Sequence, residues 1–136
     1  AVGCLETEAS GWVLPILLKE HPAYAQSDLR HVEGVGFREV IEAADAGDPC
    51  ASDVLEHCLR YWGEGLVSFM HAYDPERMIL GGGIMNGPAW ILDHFHRTIA
   101  AHAWGNLDQI ELVKAAHPNN AGLIGAAALF QAPPVG

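Results

Sequence analysis

At 136 residues, half of them hydrophobic, the chain is long enough to bury one apolar core. No run of about 18 or more residues is free of charge and polarity, so no membrane-spanning helix is expected. Seven Lys and Arg against 17 Asp and Glu give a formal charge of −10, which repels phosphate backbones, so neither nucleic acid nor membrane is an expected partner of this segment.

Ala1 to Gly11 opens in mid-motif, without an initiator Met or a charged leader, and the expectation is a chain that begins inside a larger domain. Thr7 or Ser10 is placed to cap a helix on which Trp12, Ile16 and Leu17 share an inward face around Pro15. His21-Pro22 ends that helix, because the residue before a proline is pushed out of the α region. Residues 23–36 are polar and weakly periodic, a loop with one helical turn. Phe37, Val40, Ile41 and Ala44 have the spacing of a short amphipathic helix, stopped by Gly47.

Asp48-Pro49 supplies a cap and a first-turn proline for the longest helix, running to about Ala72 and about 36 Å long. Its apolar stripe is Val54, Leu55, Cys58, Leu59, Trp62, Leu66, Phe69, Met70 and Tyr73. Gly63 and Gly65 inside it each cost about 1 kcal/mol relative to Ala, which points to the close approach of another backbone. Asp74-Pro75-Glu76 turns the chain into Met78–Leu80, an apolar run that suits a buried strand. Gly81, Gly82 and Gly83 follow. Pro88 then opens a helix from about Gly87 to Ala103, with Trp90, Ile91, Phe95 and Ile99 inward. Trp104 to Asp108 is a turn, Gln109 to Ala115 a second strand, Asn120 to Phe130 a last helix rich in small residues, and residues 132–136 a tail.

Strand, glycines and helix in succession make a plausible nucleotide edge, since a bare backbone lets a ligand come close. The pattern is neither a P-loop nor a dinucleotide fingerprint, and a triple glycine after a strand is more often a tight connection. The eight histidines include no helical i, i+4 pair beside a carboxylate, so no metal site is built from them. Cys50 and Cys58 lie on one helix stripe and read as core. With Cys4 they make an odd, sparse count that fits a reducing cytoplasm. No Ser-His-Asp or Cys-His relay can be assembled.

Four blocks in order carry a family resemblance. Gly3-Cys-Leu-Glu6 with Ala9-Ser-Gly11, Ala46-Gly-Asp48, Asp74-Pro-Glu-Arg-Met-Ile-Leu-Gly-Gly-Gly83 and Ala121-Gly-Leu-Ile-Gly-Ala-Ala127 resemble the ROK family of bacterial sugar kinases and sugar-responsive repressors, over essentially the full length. The resemblance implies an α/β fold: the helix-rich C-terminal part of an actin-like, ribonuclease-H-like sugar-kinase ATPase, with a few parallel strands packed by long helices. Residues 1–136 would form one C-terminal segment. Glu6 looks like the carboxylate that hydrogen-bonds sugar hydroxyls, and Cys4 like the last of three zinc-binding cysteines in a Cys-x-Cys-Gly-x-x-Gly-Cys-x-Glu pattern. One thiolate cannot make a tetrahedral site, so zinc is not expected in this chain. Gly81, Gly82 and Gly83 look like the nucleotide loop, and Ala121 and Gly122 like neighbours of the base. The cofactor implied is ATP with Mg²⁺.

By the same resemblance, the phosphate loops, the sugar-gripping Asn-Asp pair and the catalytic Asp belong to an N-terminal lobe that this sequence does not contain. Three readings follow. One is the C-terminal segment of an ATP-dependent hexose or N-acetylhexosamine kinase, inactive alone. The second is the effector-sensing segment of a transcriptional repressor, and the third a non-catalytic dimerisation fragment. Apolar surface left bare by the absent lobe predicts a homo-oligomer.

Overall fold

The computed structural model describes residues 3–105 and 110–131. Its elements are α1 (Leu5–Ala9), α2 (Leu14–Glu20), two 3-10 turns (Tyr24–Gln26 and Asp28–His31), α3 (Phe37–Asp45), α4 (Pro49–Tyr73), β1 (Arg77–Leu80), a further 3-10 turn (Gly83–Asn86), α5 (Trp90–His102), β2 (Glu111–Lys114) and α6 (Ala121–Gln131). The end of the second expected strand at Gln109, most of the expected turn before it and the tail at 132–136 lie outside the described residues.

The long helix α4 is the axis of the molecule. Asp48 caps it, its Oδ1 accepting from the Ala51 N–H at 3.1 Å. Pro49 fills the first turn, where no N–H is needed. At the far end Asp74 takes a left-handed conformation (φ 44°) and donates its N–H to Met70 O. α1, α2, α3 and α5 all pack on it. Cys50, Ala51, Val54, Leu55, Cys58 and Leu59 are buried there together with Leu18 of α2, Val40 and Ile41 of α3, and Ile91 and Phe95 of α5. Burial pushes the Cys58 thiol up to about 12, so it is an inert core group.

Four expectations are corrected here. The first helix is two, because the chain turns between Ser10 and Val13 and Pro15 sits in the first turn of α2. The buried face of α2 is Leu14 and Leu18, four apart, while Trp12 and Ile16 are exposed and only Leu17 keeps a partial place against the core. Neither Thr7 nor Ser10 is the N-cap of a helix: Cys4 and Val13 hold those positions, and the Thr7 and Ser10 hydroxyls donate backward to Cys4 O and Glu6 O. Gly63 makes room for a side chain rather than a backbone, since a Cβ there would lie 2.7 Å from Thr98 Cγ2 of α5.

The strands β1 and β2 pair in parallel, Arg77 opposite Glu111 and Leu80 opposite Lys114, with α5 as the crossover that a parallel pair requires. An Arg77–Glu111 ion pair of 2.5 Å closes one end. Ile79 is 64% exposed, so β1 is covered on one face only and is not the buried strand its composition suggests. The same holds at the end of the α4 stripe, where Phe69 and Tyr73 are exposed.

Candidate functional site

A cleft of about 1450 Å³ runs between the first turn of α1, the face of α3 and the loop after β1. Cys4, Glu6, Ser10 and Gly11 line one wall, Phe37, Glu39 and Asp45 another, and Gly83, Asn86 and Pro88 the third. Residues separated by 77 positions in sequence, Glu6 and Gly83, thus face one space. α4 makes this possible, because α1 and α3 both pack against it while β1 returns from its far end.

The cleft is acidic. Glu6, Glu39, Glu42 and Asp45 line it with Arg38. The Glu39 carboxyl is held below the usual carboxylate range, first by its own backbone N–H and then by the Arg38 guanidinium and the Gly36 N–H. Glu39 is therefore committed to capping α3 and to Arg38 at 2.8 Å. Glu6 accepts from Trp12 Nε1 at 2.9 Å and is otherwise directed to solvent, whereas Glu8, on the same short helix, is tied to the Gly3 N–H at 3.1 Å and stands 3.7 Å from His57.

The three glycines do three different things. Gly81 faces the start of α6, and a Cβ there would lie 3.5 Å from Ala121 Cβ and Pro118 O, an ordinary contact that a small side chain could make. Gly82 has φ +92°, which L side chains rarely adopt, and its N–H is occupied by Pro118 O at 2.8 Å. Gly83 begins the 3-10 turn, and nothing lies within 4 Å of where its side chain would be. That turn stands between the glycines and α5, so strand, glycines and helix do not follow directly on one another. The Asn86 side chain donates to Asn119 at 2.7 Å and ties this loop to the segment before α6. Gly122 has open space around its Cα.

Of the residues singled out in the sequence, Glu6, Cys4 and Gly83 share the cleft, while Gly81, Gly82, Ala121 and Gly122 are not among the residues that line it. A smaller apolar pocket of about 190 Å³, lined in part by Trp62, Phe69, Gly81 and Phe95, opens beside the same loop. The α3 wall was not anticipated. Its charged residues look like the solvent face of an amphipathic helix, and only packing turns that face to the cleft.

Among the described residues, no three His, Cys, Asp or Glu side chains come close enough to hold a metal ion. Cys4 is exposed and by itself does not fit a four-ligand zinc site. For a nucleotide the fit is better, because Gly83 leaves backbone uncovered on the cleft side.

The ROK family model matches residues 1–133. The chain belongs to the ROK family. It is 31% identical over 105 residues to a β-glucoside kinase of Klebsiella pneumoniae, covering 76% of this chain and 33% of that protein. Its structure is similar to that of a ROK family glucokinase from Streptomyces griseus in complex with glucose and AMPPNP, with a TM-score of 0.72 and 30% identity over 97% of this chain and 46% of that one. A ROK family transcriptional regulator, a homolog of the E. coli MLC protein, is similar with a TM-score of 0.60 and 26% identity, over 82% of this chain and 28% of the regulator. The chain therefore spans less than half the length of each. Its fold is that of the actin-like ROK sugar kinases, helix-rich with a small parallel sheet. Among the described residues no helix is long and apolar enough to cross a membrane.

Proposed function

We propose that this chain is the C-terminal sugar- and nucleotide-side segment of an ATP-dependent sugar kinase that acts in the cytoplasm on a hexose or N-acetylhexosamine. The observation that carries the reading is the single cleft faced by both Glu6 and Gly83. Glu6 accepts hydrogen bonds from sugar hydroxyls, for which an exposed carboxylate is the right acceptor. Gly81, Gly82 and Gly83 let the nucleotide approach, and Ala121 and Gly122 lie beside its base. The glucokinase complex with glucose and AMPPNP and the similarity to a β-glucoside kinase support both halves.

Electrostatics sets the division of labour. An acidic cleft in a chain of charge −10 repels polyphosphate, so the phosphates and their Mg²⁺ need compensation from outside these residues. When bound, the nucleotide supplies the γ-phosphoryl group. Phosphoryl transfer depends on positioning and charge stabilisation, and this segment contributes positioning, with Cys4 a remnant zinc-ligand position at the cleft mouth. It does not turn over alone.

Calorimetric titration with ATP–Mg²⁺ tests the nucleotide half. Gly83→Val is the discriminating variant, because its side chain enters open cleft space, whereas Gly82→Val would strain a backbone at φ +92°. Binding by the wild-type chain that Gly83→Val loses supports the reading. Equal binding by both removes the glycine loop from it.

The similarity to a transcriptional regulator favours a second reading, an effector-sensing segment in which the same Glu6 wall holds the sugar and no transfer follows. In either case the bare apolar residues of β1 and α6 drive association into a homo-oligomer. A dimerisation fragment without catalysis is the limit in which only that surface is used.

A further inference from the structure

Trp12 is a large aromatic residue, 55% exposed, on the turn between α1 and α2. Its neighbours Val13 and Leu14 are buried, so the turn itself is anchored. The ring nevertheless stays outside the core, with its Nε1–H donating to Glu6 Oε1 at 2.9 Å. An indole N–H is a donor only, and a carboxylate has about four acceptor sites, so this bond fixes one oxygen and leaves the other free. It also leaves the negative charge in place, which an Arg or Lys partner would have neutralised. A second bond steadies the frame: Ser10 Oγ donates to Glu6 O at 2.5 Å, joining the helix turn that carries Glu6 to the residues that carry Trp12.

We infer that Trp12 is a positioning residue for sugar binding, holding the Glu6 carboxylate in the rotamer that presents its free oxygen to a pair of sugar hydroxyls. The inference rests on the proposed sugar-binding role of Glu6. A free glutamate must lose rotamer freedom when it grips a ligand, and the indole bond removes that loss in advance. Glu8 shows the contrast. Its bond from the Gly3 N–H and its proximity to His57 tie it into the protein, and it is not among the residues that line the cleft.

Two measurements on the purified chain test this. The first is the indole N–H region of a proton–nitrogen NMR spectrum, in which Trp12→Phe identifies the Trp12 signal among the four tryptophans. In Glu6→Gln that signal is expected to move and to exchange faster with water, while those of Trp62, Trp90 and Trp104 stay. An unmoved Trp12 signal means the bond does not persist in solution and overturns the proposal.

The second is glucose affinity. Glu6→Gln is expected to abolish binding, and Trp12→Phe, which keeps a ring but loses the donor, to weaken it about tenfold. Trp12→Ala should weaken it no more than Trp12→Phe if the N–H rather than the ring matters. Wild-type affinity in Trp12→Phe with loss in Glu6→Gln overturns the role of Trp12 and leaves that of Glu6 intact. Wild-type affinity in Glu6→Gln, or no binding by the wild-type chain, overturns the sugar-side reading and the positioning role with it.

Discussion

The two ends of α4 stand in different surroundings although they carry similar residues. At its N-terminal end Cys50, Val54, Leu55, Cys58 and Leu59 are sealed by α2, α3 and α5. At its C-terminal end Phe69 is 51% and Tyr73 75% exposed; Ile79 of β1 is open as well, and Phe130 of α6 is 93% exposed. Both regions are apolar, and only one is closed by the chain's own elements. Hydrophobic pattern states that a face wants cover; it does not state what covers it. The closed end is therefore expected to carry the stability of the chain, and the open end is where the proposed association between copies would act.

The largest effect is expected where the closed end is tightest. Leu14 is fully buried beneath α4, so Leu14→Ala should cost about 3 kcal/mol, the combined loss of burial and the cavity left behind. Chemical denaturation followed by far-ultraviolet circular dichroism measures it. A loss below about 0.5 kcal/mol would place Leu14 at the surface and erase the distinction between the two ends.

Much of that closed end was legible in the sequence. The 3, 4, 7 spacing from Phe37 to Ala44 became α3, and Asp48-Pro49 began α4, because capping and helical period are local properties. The opening helix was misread for a reason that is equally local. Pro15 suits a first helical turn as well as a kink and the pattern does not choose between them, so the expected face of Trp12 and Ile16 gives way to the buried Leu14 and Leu18 once Pro15 opens α2. Of the cleft lining, Glu6, Cys4 and Gly83 are among the residues that the resemblance singles out, while Gly81 and Gly82 do not line it. The wall from Gly36 to Asp45 was not, since Glu39, Glu42 and Asp45 look like a solvated face until α3 is docked beside α1. Nor could Trp12 be paired with Glu6, because the turn at Ser10 is what brings them together.

A smaller effect is expected at the cap that starts α4. Asp48 holds the Ala51 N–H and also accepts from Ser27 Oγ at 2.5 Å, and Ser27 is itself buried. Burial alone would raise the Asp48 pKa, but the bonds from Ser27 and from the N–H groups of Ala51, Cys50 and Asp28 outweigh it, and the net shift is downward. A carboxyl with a lowered folded pKa stabilises the fold above its unfolded value, and that contribution is lost as pH falls through the folded value. Asp48→Ala should cost about 1 kcal/mol near neutrality and show a weaker acid dependence than the wild type, with the two stability curves converging below about pH 4. Parallel curves down to acid pH would show that the cap does not carry the dependence.

The smallest effect on stability, and the largest on association, is expected in α6. Leu123, Leu129 and Phe130 are 75%, 78% and 93% exposed, so changing them removes little buried surface. Leu123→Lys with Leu129→Glu should leave the unfolding free energy within about 0.5 kcal/mol of the wild type. Multi-angle light scattering should meanwhile move the mass from a multiple of 14.6 kDa to 14.6 kDa itself, at unchanged helicity. Two results would break the comparison in opposite ways. A wild-type monomer would mean that the open end makes no contact between copies, and a double variant that unfolds would mean that α6 is already part of the closed core. If the oligomer dissolves and the fold stays, the apolar residues of α6 act on partners and not on the core, which is the division that the two ends of α4 imply.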